Sequence, residues 1–220
     1  MRDHYIFLSP LKQPRESILR IAWTILRERG AVPTFECEEL KYDTEQQRYR
    51  WTGEFVTCSS IEEILTLARN WEAIATYFEL TMEDVLGSLS ILLWSDTLPG
   101  TTTLALCEDS TLFNYQREHR EPWGAFQEIA LTLAESLGSS FCLLKSNPPV
   151  RTVTEEEVSK SLSLMETGRY VPTFLAVHTG RFSSASLSGS SSSAEYSARS
   201  YQGYMIFTDK GMGSPAAEDG

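Results

Sequence analysis

The feature that most constrains the fold is a pair of apolar runs joined by a tight-turn signal. Residues 88–94 and 101–107 are rich in Leu, Ile, Ala and Thr, and Pro99 and Gly100 stand between them. Pro-Gly between two apolar runs is typical of a turn. The pattern predicts a β-hairpin, and its apolar character places this hairpin at the centre of a β-sheet.

The expected register of this hairpin gathers acidic residues at one end. If the chain turns at 97–100, Glu108 stands opposite Leu89 and Asp109 opposite Ser88, at the end away from the turn. Glu83 and Asp84 lead into the same end. The hairpin therefore predicts a local group of four carboxylates.

Helical periodicity alternates with strand patterns along the rest of the chain. An apolar stripe begins after Pro14 and ends near Gly30, and the pairs Ser60/Glu63 and Thr154/Glu157 match capping boxes at two further helix starts. Another helix is predicted from Pro122, and the helix from Ser60 is expected to run on towards Phe78. Hairpins between helices favour an α+β fold, with an antiparallel or mixed β-sheet and three to four helices packed mainly on one face.

The domain organisation follows from composition. Residues 1–180 are expected to form a single α+β domain. Residues 181–202 are Ser-rich and predict a flexible loop or linker, because such a segment buries little apolar surface. A short strand at 203–208 is expected to return to the domain, followed by a mobile tail at 209–220.

Charge and cysteine content narrow the functional classes. The chain of 220 residues has a net charge of −11, which disfavours nucleic acid and anionic membranes as partners. The longest dense apolar run, 91–94, is too short for a membrane helix, and the N-terminus does not resemble a signal peptide. The four cysteines are widely spaced, without the close pairs of zinc sites. We therefore expect a soluble, cytoplasmic protein.

Sequence motifs for catalysis and cofactors are absent. The chain contains no phosphate-binding glycine loop, no nucleophile elbow and no paired-histidine metal motif, so we expect no cofactor, no metal and no catalytic residue. One alternative is an unrecognised hydrolase or transferase that pairs Cys58 or Cys107 with His119. A nucleophilic cysteine needs a lowered pKa, and Cys58 lies just before a helix start, where the helix dipole stabilises a thiolate.

The acidic excess is concentrated in one part of the chain. Residues 51–110 contain ten acidic residues and one basic residue, Arg69, whereas residues 1–50 contain eight acidic and nine basic residues. We therefore expect a helix-hairpin surface that captures a protein with a basic surface. The residues predicted to form it are Glu62, Glu63, Glu83, Asp84, Glu108 and Asp109.

These observations lead to one main functional hypothesis and one alternative. The main hypothesis is a non-enzymatic protein-binding module, and the small, acidic, motif-poor profile resembles that of bacterial immunity or inhibitor proteins in composition only. The alternative is a small-molecule-binding domain with a pocket lined by tryptophans at positions Trp51, Trp71, Trp94 and Trp123. The oligomeric state is not predicted.

Overall fold

A computed structural model describes residues 4–82, 85–96, 99–108, 120–146, 149–170, 172–182 and 196–210. Its strands are β1 (His4–Leu8), β2 (Val32–Asp43), β3 (Arg48–Thr57), β4 (Ala73–Met82), β5 (Val85–Ser95), β6 (Thr102–Glu108), β7 (Phe141–Ser146), β8 (Phe174–His178), β9 (Tyr196–Tyr201) and β10 (Tyr204–Asp209). Its helices are α1 (Arg15–Glu28), α2 (Ile61–Asn70), α3 (Arg120–Leu137) and α4 (Glu155–Glu166). The strands form one sheet in the order β3-β2-β4-β5-β6-β1-β7-β8-β10-β9, and every neighbouring pair is antiparallel.

The predicted central hairpin is confirmed, including its register. Strands β5 and β6 pair with Leu89 opposite Glu108, as the turn position requires. The side chains of Ile91 and Leu93 enter one hydrophobic core, and those of Leu92 and Trp94 enter a second core on the other side of the sheet. The hairpin is therefore buried on both faces.

The two faces of the sheet are covered by different elements. Apolar side chains of α1, α2 and α3 cover one face, called here the α1 face. The other face, called the α4 face, is covered by α4 through Val158 and Leu162 and by the segment 149–154. This crossing segment reaches β3, where the Tyr49 N–H donates to the Val150 carbonyl oxygen at 2.8 Å.

The predicted fold class is wrong in its architecture. We expected an antiparallel or mixed sheet with three to four helices packed mainly on one face, whereas a single ten-stranded antiparallel sheet dominates the described chain. The helices also lie on both faces, because the strands are apolar on both sides and α4 has its own apolar stripe. A sheet of this kind needs cover on each face to remove its apolar surface from water.

Strands that are buried on both faces explain the main misreadings. Strand β4 occupies Ala73–Met82, where the helix from Ser60 was expected to continue, and α2 ends at Asn70. The continuous apolar run at the start of β4 lacks the two-residue alternation that marks a half-buried strand. Strand β1 was likewise not predicted, although all five of its residues are buried.

The C-terminal strands correct the predicted loop. Residues Tyr196–Tyr201 form β9 within the segment 181–202, which was expected to be a flexible linker. Strand β9 pairs with β10, which lies where the short returning strand was expected. The remainder of the Ser-rich segment, 183–195, and the tail 211–220 lie outside the described residues.

The capping box at the start of α4 is confirmed and predicts a measurable contribution to stability. The Thr154 hydroxyl accepts the Glu157 N–H at 3.2 Å, and the Glu157 carboxylate accepts the Thr154 N–H at 3.0 Å. Thr154→Ala is expected to lower the free energy of unfolding by about 1 kcal/mol in urea titrations. The control Ser159→Ala, at an exposed position of the same helix, is expected to change it by about 0.5 kcal/mol or less. Equal effects of the two substitutions would contradict this assignment.

Candidate functional site

Strand β3 is the outermost strand at one end of the sheet and has exposed aromatic side chains. Among the described residues, Val150 of the crossing segment forms an antiparallel bridge with Tyr49 at its outer edge, and no strand pairs with that edge beyond Tyr49. Trp51 is 39% exposed and Phe55 is 57% exposed. Both lie on the α4 face against Tyr77 of β4, with ring centroids 6.3 Å and 5.6 Å from that of Tyr77. These three rings form what we call the aromatic patch.

A buried carboxylate fixes the backbone beneath this patch. The register of β2 and β3 shifts between Glu38 and Leu40, so that β3 bulges around Gly53. The Glu38 carboxylate accepts the Gly53 N–H at 2.5 Å and the Tyr77 hydroxyl at 2.9 Å. Gly53 has a φ of +76°, in the left-handed region that favours glycine. The bulge brings both Trp51 and Phe55 against Tyr77.

The opposite side of β3 borders a groove. Residues of β3 and of the following turn, Val56, Thr57 and Cys58, face α2 residues across a cavity of about 390 Å³. We call this cavity the β3–α2 groove, and its α2 side is formed by Glu62, Glu63, Thr66 and Leu67. The groove therefore combines an apolar floor with two carboxylates, and both carboxylates belong to the predicted partner-binding set.

The two groove carboxylates make exposed interactions within the chain. Glu62 forms an ion pair with Arg20 at 3.0 Å, and more than half of each side chain is exposed. Glu63 accepts the Ser59 N–H at 2.8 Å and the Ser59 hydroxyl at 2.7 Å. The backbone hydrogen bond from Ser59 lowers the pKa of Glu63, so this side chain is negatively charged at neutral pH. An exposed ion pair contributes about 0–1 kcal/mol, so Glu62 can exchange Arg20 for another cation.

The other predicted acidic residues do not join this groove. Glu108 is fully buried in β6, and strands β5, β4 and β2 separate it from β3. Its carboxylate does not reach the surface, which corrects its predicted role as a direct partner contact. Glu83, Asp84 and Asp109 lie outside the described residues.

The predicted tryptophan pocket is not assembled from the tryptophans that the structure describes. Trp94 is 1% exposed and lies in the core on the α4 face, whereas Trp71 packs against the core on the α1 face. Trp51 lies at the sheet edge, and the side chain of Trp123 is outside the described residues. Because the sheet separates Trp71 from Trp94, the two side chains do not line one cavity.

The described cysteines do not have the properties of nucleophiles. All four are free and buried. Burial raises the pKa of Cys37 to about 12, and burial together with the Glu63 carboxylate raises the pKa of Cys58. A raised pKa disfavours the thiolate that nucleophilic attack requires. His119, the proposed partner, lies outside the described residues.

Sequence reasoning missed a row of polar side chains at one end of the central strands. His4 stands opposite both Glu108 of β6 and Ser146 of β7 in the sheet register. The His4 Nδ1 and the Ser146 Oγ are 2.9 Å apart. The imidazole of His4 can accept the proton of the Ser146 hydroxyl. No sequence pattern indicated this group, because His4, Glu108 and Ser146 are 38 to 142 positions apart and strand β1 was not predicted.

Comparisons with known proteins do not assign the chain to a family. No model of a known protein family matches it, and no curated protein shows significant similarity. Within the described ranges, no group of three or more His, Cys, Asp or Glu side chains is arranged to hold a metal ion. The helices in the same ranges are too short or too polar to cross a membrane.

Proposed function

We propose that this protein is a non-enzymatic protein-binding module that captures an extended, basic segment of a partner along β3. One observation carries the proposal. The outer strand β3 exposes apolar side chains on both of its faces, Trp51 and Phe55 on one and Val56 on the other. Natural edge strands are usually protected by charge, proline, a bulge or a covering element. Strand β3 has the charged residues Arg50 and Glu54 and the bulge at Gly53, yet it still exposes three large apolar side chains, which indicates a binding surface.

The backbone of β3 supports strand addition as the binding mode. An extended peptide beside residues 51–57 would satisfy the outward N–H and C=O groups that lie beyond the Tyr49–Val150 bridge, and its alternate side chains would meet the two faces of the strand. On the α4 face these side chains would meet Trp51 and Phe55. Tryptophan and tyrosine are enriched among residues that dominate binding energy, which supports the aromatic patch as the anchor.

The groove beside β3 supports a basic partner. Side chains that point to the α1 face would enter the β3–α2 groove, where Val56 and Leu67 contact apolar groups and Glu62 and Glu63 attract cations. The net charge of −11 increases the rate of encounter with a basic segment. The inhibitory or immunity-type role and the cytoplasmic location expected from composition remain predictions within this proposal.

Peptide selection on the folded full-length chain tests this function. Peptides selected from a random library are expected to alternate Lys or Arg with apolar residues, and to lose affinity as ionic strength rises. Glu62→Lys is expected to weaken binding of a selected peptide by about tenfold, since it reverses a charge at the groove. Isothermal titration calorimetry provides the measurement.

A matched variant separates this effect from net charge. Glu156→Lys makes the same charge change in the first turn of α4, on the other face of the sheet. We expect its peptide affinity to stay within about twofold of the wild type, because surface charges more than a Debye length apart are largely screened. Equal losses in the two variants would contradict the assignment of the β3–α2 groove.

A further inference from the structure

A second cavity, of about 440 Å³, lies on the α4 face at the end of β7. Its apolar wall includes Val153 of the crossing segment 149–154 and Phe7 of β1. Tyr170 and Thr173 and the cationic residues Lys145 and Arg151 also line it. Its volume lies in the range typical of small-molecule sites.

The cavity has a local excess of positive charge in an acidic protein. Arg151 is bound to Glu157 through two hydrogen bonds, of 2.6 Å and 3.3 Å, so its charge is neutralised within the chain. Among the described residues, no hydrogen bond or salt bridge joins the Lys145 ammonium to another group. Lys145 is therefore the cation that a ligand would neutralise.

The side chain of Lys145 is partly removed from water. The side chain is half-buried, and burial lowers its pKa, while the nearby Glu157 carboxylate raises the pKa and Arg151 lowers it. A desolvated ammonium gains more from an anionic partner than an exposed one, because water screens it less. Arg151 also donates to the Thr152 carbonyl oxygen at 3.1 Å, and a guanidinium carries five N–H groups, so two donors remain for a ligand.

We propose that this cavity binds a small organic anion. Its phosphate or carboxylate oxygens would contact Lys145 and the free donors of Arg151, and its apolar part would lie against Val153 and Tyr170. This cavity lies at β7 and the segment 149–154, and it shares no lining residue with the β3–α2 groove. The protein would then hold a metabolite-sized ligand in addition to a protein partner.

Titration calorimetry with four simple probes tests the proposal. Phenyl phosphate, benzoate and inorganic phosphate supply the anionic groups, and benzamide is a neutral analogue of benzoate. We expect phenyl phosphate, benzoate or both to bind with one site per chain, more tightly than inorganic phosphate, while benzamide does not bind. The tighter of the two organic probes identifies the anionic group. If neither organic anion saturates a site, or benzamide binds equally well, the proposal is wrong.

A pair of lysine variants locates the binding. Lys145→Met is expected to weaken binding of the better probe by about tenfold or more, because it removes the cation and keeps a chain of similar length. Lys160→Met makes the same charge change at an exposed position of α4 and should leave binding unchanged. Equal weakening in the two variants would overturn the assignment.

Chemical labelling gives a second readout on the unaltered protein. The free amine of Lys145 would add to the aldehyde carbon of pyridoxal phosphate, release water and form an imine, which borohydride reduces by hydride transfer to that carbon. Peptide mapping is expected to find the label mainly on Lys145, and bound phenyl phosphate should prevent it. Labelling spread evenly over all five lysines, Lys12, Lys41, Lys145, Lys160 and Lys210, without protection, would contradict the proposal.

Discussion

Trp94→Ala is expected to lower the free energy of unfolding by about 3–5 kcal/mol. The indole is 1% exposed and packs edge-on against Phe7, with ring centroids 6.2 Å apart. Its Nε1–H donates to the Thr152 hydroxyl at 3.2 Å, which fastens the crossing segment 149–154 to the α4 face. The substitution therefore creates a large cavity and also releases the segment that covers it.

Trp51→Ala is the matched control for this prediction. The same side chain is removed, but Trp51 is 39% exposed at the edge of the sheet. We expect a loss of about 1 kcal/mol or less, because exposed positions contribute little to stability. Urea unfolding followed by far-UV circular dichroism compares the two variants. Similar losses in the free energy of unfolding would contradict the assignment of Trp94 to the core and of Trp51 to the binding edge.

Glu38→Ala is expected to lower the free energy of unfolding by about 2–4 kcal/mol, the second large effect. The substitution leaves the Gly53 N–H and the Tyr77 hydroxyl without their acceptor. Glu38 itself is buried, and a hydrogen bond to a charged acceptor contributes about 1.5–3 kcal/mol. The bulge in β3 should also relax, which would move Trp51 away from Tyr77 and change the tryptophan fluorescence of the native state.

Glu54→Ala provides the control on the same strand. Glu54 is exposed, and we expect its removal to change the free energy of unfolding by about 0.5 kcal/mol or less. Glu38→Gln retains a carbonyl acceptor and should fall between Glu38→Ala and the wild type. If Glu38→Ala is as stable as Glu54→Ala, the carboxylate does not hold the bulge.

Local sequence signals predicted those elements that depend on local interactions. Helix α1 begins directly after Pro14, where the apolar stripe and the proline place its start. Helix α4 begins at the predicted capping box, and the register of β5 with β6 follows from the turn between them. In each case the stabilising contacts lie within a few residues or within one hairpin.

Elements that depend on distant contacts could not be predicted from local sequence signals. Strand β1 and the first four residues of β4 are buried on both faces, so their side chains show no alternation of polar and apolar residues. The order of the strands decides which face each helix covers, and no local sequence pattern indicates that order. The prediction of one covered face failed for this reason.

In the candidate site, too, the features that depend on local contacts could be predicted, and those that depend on distant contacts could not. The exposure of Glu62 and Glu63 follows from their place in the first turn of an amphipathic helix. The burial of Glu38 depends on Gly53 and Tyr77, which lie on two other strands. The cavity at Lys145 likewise combines β1, β7 and the crossing segment, which are brought together only by the sheet.

Amide hydrogen exchange tests most directly whether β3 is the binding edge. The chain is measured alone and with a peptide selected on it, and β9, the outermost strand at the other end of the described sheet, serves as the internal control. Binding is expected to slow exchange in β3, because strand addition pairs the outward N–H groups beyond Tyr49, which Val150 already pairs, and to leave β9 unchanged. Unchanged exchange in β3 with the peptide bound, or slowing confined to β9, would contradict the proposal.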